Sequence, residues 1–275
     1  MRRLIINADD FGFSPGIDRG IIEAHRAGTL PSTSLLATGS AFDDAIGSLA
    51  GCPTLDVGLH FDLTMGSPLT AARSLTDQRT GRFHTLPSLI ARLATGQVDR
   101  REVIAEWRAQ FDRLIAAGAR PTHLDGHHHV HALPLIWGAV VEAAQESGAA
   151  HLPHRVPSEP LAIDISGWRG QVKAVALRGA WRLASARAPA VHRPDHFRGL
   201  GVQGGRDVLT RLLALVDLLP QGTTELMMHP GYSDGVPTGD AYTWQREREL
   251  SALTSPELRA RLGRGDVVLT SFAAL

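Results

Sequence analysis

The chain has 275 residues, 43% of them hydrophobic, and balances 28 Lys and Arg against 28 Asp and Glu. Zero net charge excludes a protein held to nucleic acid or to a membrane surface mainly by bulk charge. The single cysteine, Cys52, excludes an intramolecular disulfide framework and a Cys-cluster zinc site.

The first apolar run, Leu4-Ile5-Ile6, reads as a buried strand that delivers Asp9 and Asp10 at its C-terminal end. Ser14-Pro15 then supplies an N-cap and a proline at the first helical position, and Ile17, Ile21, Ile22 and Ala24 recur at helical spacing up to Gly28. Residues 34–37 read as a strand, 42–49 as a helix and 55–60 as a strand. Residues 65–85, punctuated by Gly, Pro and Thr, read as a long loop or lid. Val103, Ile104, Trp107, Phe111, Leu114 and Ile115 share one helical face that ends at Gly118. Beyond it come a strand at 122–125, a helix at 133–146, a strand at 150–156, a helix at 208–219 and a strand at 225–228. Ser255-Pro256-Glu257 caps a short helix, and 267–272 closes the chain as a strand. The stretch 157–205 carries no assignment.

Strands alternating with helices predict an α/β fold with a parallel sheet, and six to eight such units suit a distorted (β/α) barrel. Without a repeat, linker or low-complexity tract, residues 1–275 are expected to form one domain. No window approaches the roughly 18 uninterrupted apolar residues of a membrane span. Asp9 and Asp10 interrupt the N-terminus before a signal-peptide core forms, so a cytoplasmic protein is expected. A homodimer is expected from base rates alone.

Histidine is the outlying count. There are thirteen, and five of them, His123, His127, His128, His129 and His131, fall between residues 123 and 131. Asp9, Asp10, His60, Asp125, His127 and His229 all fall at or just past predicted strand C-termini, the face on which a barrel builds its active site. One carboxylate and two imidazoles suffice to hold a borderline divalent ion with positions left open for water and substrate. A second carboxylate can then serve as general base, and a further histidine can protonate a leaving group. Each residue has a plainer reading: Asp9-Asp10 as a turn and cap signal, His60 as a core histidine, His229-Pro230-Gly231 as a turn, Arg155 as a surface or cap residue. Consecutive side chains point different ways, so at most two of His127, His128 and His129 serve one ion. His123 and His131 can orient neighbours through their second nitrogen. Other chemistries use the same residue types. A non-haem iron(II) oxygenase shares the donor set, a glycosidase would pair Asp9 or Asp10 with Asp125, and a metal or sugar-binding module would need no reaction.

Taken in order, Asn7-Ala8-Asp9-Asp10-Phe11-Gly12, Gly58-Leu59-His60-Phe61-Asp62-Leu63-Thr64, the run from Thr122 to His131 and His229-Pro230-Gly231 resemble the YdjC-like carbohydrate deacetylases, which include the chitooligosaccharide deacetylases. The resemblance implies a distorted (β/α) barrel and metal-dependent removal of acetyl groups from N-acetylated sugars. It also implies Asp10, His60 and His127 as metal ligands, Asp9 as base and His229 as acid. The ion it implies is magnesium or zinc, and two imidazoles favour zinc or a transition metal. Asp125, His123, His131 and Arg155 are then expected to support the ligands or touch substrate. Trp168, Trp181, Trp244 and Tyr242 are candidates for stacking on sugar rings. A related branch acts in hopanoid biosynthesis, and Gly58 to Met65 with the triple histidine sit closer to the chitooligosaccharide branch.

Overall fold

The computed structural model describes residues 1–159, 168–186, 190–236 and 242–275, with the side chains of 168–171 excluded. The first strand, β1 (Arg2–Phe11), is almost wholly buried, as a central parallel strand flanked on both sides must be. Next come α1 (Pro15–Arg26), β2 (Ser32–Leu35), α2 (Phe42–Leu49) and β3 (Asp56–Phe61). The expected lid contains a small antiparallel hairpin, β4 (Thr76–Asp77) and β5 (Arg82–Phe83), and leads into α3 (Leu86–Ala94), which the sequence reading did not assign. After α4 (Arg100–Ala116) and β6 (Leu124–Gly126), residues His127–Ala132 form an irregular 3-10 turn before α5 (Ile136–Glu146). The unassigned stretch supplies α6 (Trp168–Ser185) and β7 (His196–Arg198). The chain ends with α7 (Val208–Asp217), β8 (Gly222–Met228), α8 (Trp244–Leu253), α9 (Pro256–Leu262) and β9 (Val267–Leu269).

The main sheet runs β6-β3-β2-β1-β8-β7, with β9 on the lower half of β1, and every pairing is parallel. It is a curled half-barrel, consistent with the distorted (β/α) barrel expected though not closed on itself. The expected strand at 150–156 makes a single bridge, Leu124 with His154. Leu124 donates to the Pro153 carbonyl and accepts from Arg155, while His154 donates to His192 in the segment leading to β7. Pro153 has no N–H to give to a ladder, so this stretch crosses the gap between β6 and β7 as irregular chain. It carries Arg155 into the interior.

Because all these strands are parallel, their C-terminal ends share one face. The turn after β1 is shaped by Asp10, whose φ of 72° lies in the left-handed region that a residue with a Cβ seldom adopts. Ser14 then caps α1 by accepting from the Ile17 N–H, with Pro15 in the first turn. Two glycines let the chain after β8 settle on α1: a Cβ at Gly20 would come within 2.6 Å of Gly231, and one at Gly16 within 2.3 Å of the Asp234 carbonyl. That contact seats His229 over the end of β1.

Buried Asp18 on α1 accepts from the Gly12 N–H at 2.6 Å, and burial pushes its carboxyl up to about 7. The native state therefore holds a proton that the unfolded chain releases near pH 4, so stability falls as pH rises between about 4 and 7. Asp18→Asn keeps an acceptor for Gly12 without titrating. It should gain roughly 2 kcal/mol on wild type between pH 5 and pH 8 in urea unfolding, and a constant difference would contradict this.

Candidate metal centre

The carboxylate of Asp10 meets both imidazoles. His127 Nδ1 lies 2.8 Å and His60 Nε2 3.4 Å from Asp10 Oδ1. One donor atom from each of the three residues lies within 4.8 Å of the others. Donors at about 2.0–2.2 Å from one ion, at angles between tetrahedral and octahedral, stand roughly 2.8–3.6 Å apart, so the spacing suits a single divalent ion. His127 reaches Asp10 because His128 and His129, with φ of 52° and 57°, turn the chain sharply behind it. His128 turns toward Thr64, 3.0 Å from its hydroxyl.

Behind His60 stands Asp125, its register partner on β6, accepting from Nδ1 at 2.7 Å. A carboxylate so placed orients the imidazole and fixes its tautomer, as it does behind histidines that bind metal. Burial opposes charge on His60, but Asp125 and Asp9 outweigh it and raise its pKa to about 10. A metal would displace that proton, because only neutral imidazole binds. Burial raises Asp10 too, but His127 and Arg246 overcome this and hold it well below the usual carboxylate range.

Asp9 sits beside the triad with a different set of partners. Arg155 grips it with two bonds of 2.6 Å, reaches Asp125 at 2.8 Å and donates from Nε to Glu225 at 2.6 Å. Burial raises the Asp9 pKa beyond what Arg155 lowers it, and raises Glu225 to about 7. Asp9, His60 and Asp125 also form a possible donor set, but the fixed charge of Arg155 against both carboxylates disfavours a cation there. Asp9, Asp10, Asp125 and Glu225 are answered directly by the guanidiniums of Arg155 and Arg246.

A cleft of about 410 Å³ opens over this centre, lined by Asp9, Asp10, His60, His127 and His229 and by residues the sequence reading did not single out for it: His128, His129, Lys173, Gln203, Met227 and Arg246. Lys173 had one signal, since it is the sole lysine of the chain. Arg246 and its helix had none. His229 Nε2 lies 3.8 Å from Asp9 Oδ2, and burial keeps its pKa well below that of free histidine.

Asp125, His123, His131 and Arg155 do not line the cleft. Arg155 is fully buried, the opposite of a surface residue. His123 reaches Ser34, which donates to Asp125, and His131 reaches the Arg155 carbonyl. Without access to the cleft, Asp125 is no partner for a glycosidase pair. Of the aromatic candidates Tyr242 lines the cleft; Trp181 packs on Trp137, exposed Trp244 lies under Arg248, and the Trp168 side chain lies outside the described residues. No helix among the described residues is long and apolar enough to cross a membrane.

A carbohydrate deacetylase of Brevibacillus brevis is 36% identical, over 99% of each chain. A chitooligosaccharide deacetylase of Enterobacter sp. is 33% identical, over 99% of this chain and 98% of its own. A crystal structure from Enterococcus faecalis, provisionally assigned to cellobiose-phosphate cleavage, superposes with a TM-score of 0.78 at 28% identity, covering 99% of this chain and 98% of that one. The family model described as YdjC-like protein matches residues 3–264, and with relatives this similar along the whole length, the chain belongs to the YdjC-like family.

Proposed function

We propose that this protein hydrolyses the N-acetyl group of an N-acetylglucosamine-containing oligosaccharide, releasing acetate and a free amine. The observation that carries the reading is the convergence of Asp10, His60 and His127 with a separate carboxylate, Asp9, in one cleft. A divalent ion held by Asp10, His60 and His127 supplies Lewis acidity at the acetyl carbonyl and lowers the pKa of the attacking water. Zinc or another transition metal suits two imidazoles better than magnesium.

Asp9 takes the proton from that water. A pKa raised by burial makes it a stronger base, and the two bonds from Arg155 hold it in place. Water oxygen bonds to the acetyl carbon, the C–N bond breaks, and the amine leaves with a proton. Neutral at rest, His229 cannot supply that proton until it has gained one. The proton it hands on is the one Asp9 removed, passed across the 3.8 Å between them by a small movement or one water.

Metal-reconstituted protein incubated with di- to pentameric N-acetylglucosamine tests this by acetate release and product mass. Loss of one acetyl mass is expected, abolished by EDTA and restored by zinc, with or without oxygen. Acetate release that survives EDTA would refute the metal chemistry. No acetate from any oligomer, with the metal bound, would move the substrate to other acylated sugars, including hopanoid-linked ones.

A further inference from the structure

The two oxygens of Asp10 face different partners. Oδ1 lies between the imidazoles, while Oδ2 accepts from Arg246 Nη2 at 2.7 Å. Both residues are buried, Arg246 at 2% exposure. Arg246 is held firmly: its Nε donates to the Tyr242 carbonyl at 2.9 Å, and its guanidinium carbon stands 5.4 Å from the Tyr242 ring centre and 6.0 Å from that of Phe13. Phe13 in turn stacks on His127, 6.1 Å between centroids at 25°. Guanidinium, carboxylate, imidazole and phenyl ring thus brace one another.

We propose that Arg246 is a positioning residue that restricts Asp10 to coordination through Oδ1 alone and thereby sets the affinity and the choice of ion. The inference rests on the metal reading above. A carboxylate with both oxygens free can chelate, which favours ions that prefer oxygen, manganese among them; one oxygen beside two imidazoles favours zinc. The permanently charged planar fork of arginine holds Oδ2 out of that contest. Charge alone predicts the opposite sign. A cation this close to a cation site repels the ion, so an Arg246 acting only through charge would, on removal, let metal bind more tightly.

Zinc and manganese titrations of metal-free wild type, Arg246→Met, Arg246→Lys and His127→Ala, by competition with a chromophoric chelator, separate these readings. Apo-state melts identify which variants fold. Arg246→Met is expected to bind zinc 10–100-fold more weakly, with a smaller zinc-over-manganese ratio. Arg246→Lys, which keeps the charge but not the fork, should fall between it and wild type. Wild-type affinity and ratio in either folded variant, or tighter zinc binding by Arg246→Met, would overturn the proposal. Should Arg246→Met not fold, Arg246→Lys decides alone. Wild type that binds no zinc, or His127→Ala that binds it equally well, removes the metal reading and this inference with it.

Discussion

Asp9→Asn is expected to release acetate from N-acetylglucosamine oligomers 10²–10⁴-fold more slowly than wild type, the span usual for losing a general base. The amide has the shape of the carboxylate and keeps one oxygen to accept from Arg155, giving up the second of the two bonds, but it cannot take a proton from water. The fold should tolerate the change, because one negative charge leaves a cluster in which Asp9, Asp10, Asp125 and Glu225 already outnumber Arg155 and Arg246. Zinc affinity, which the proposed function assigns to Asp10, His60 and His127, should stay within about tenfold. Initial rates beside a zinc titration check both parts, and turnover above half the wild-type rate would remove Asp9 from the mechanism.

Arg155→Met should be the most damaging change to stability. The guanidinium is 0% exposed and bonds Asp9, Asp125 and Glu225 at 2.6–2.8 Å. Methionine fills much of the volume but leaves three buried carboxylates without their shared counter-charge, a loss of about 3–5 kcal/mol or more. The deficit has a definite pH dependence. Carboxylates deprived of a cation bind protons more readily, and protonation relieves their repulsion, so the variant should lag wild type further at pH 8 than at pH 5. Urea unfolding at the two pH values measures this, and a wild-type midpoint at pH 8 would show that Arg155 is not the charge holding the cluster together.

Local patterns in the sequence suffice for much of the fold. α2 runs from Phe42 to Leu49, the range read from its apolar spacing, and β1, β3 and β8 end in the acids and histidines expected of them. Helix α8 shows where such patterns fail. Its sequence, Trp244-Gln-Arg-Glu-Arg-Glu-Leu-Ser-Ala-Leu253, is dominated by polar residues that resemble a solvated surface. Yet Arg246 and Glu249, three apart and so on one face, are buried: Arg246 on Asp10, Glu249 against the His229 N–H, the Tyr242 hydroxyl and Gly204. Periodicity treats charge as outward-facing and has no means of seeing that this face meets opposite charge inside. The segment 150–156 fails the other way: its apolar Leu152 and Val156 suggest a strand, and Pro153 with one-residue pairing denies it a ladder.

Which residues are available for chemistry, and that they gather at one end of a parallel sheet, follows from chain order and from motif residues close together in sequence. Their division of labour does not. Asp9 and Asp10 are adjacent and chemically identical. Asp10 meets His127 and Arg246, 117 and 236 residues away, while Asp9 meets Arg155, 146 residues away. Burial and these distant charges move their pKa values in opposite directions, so one suits a ligand and the other a base. Only the folded chain brings those partners within bonding distance, and electrostatic character set by partners so remote leaves no trace in the local sequence.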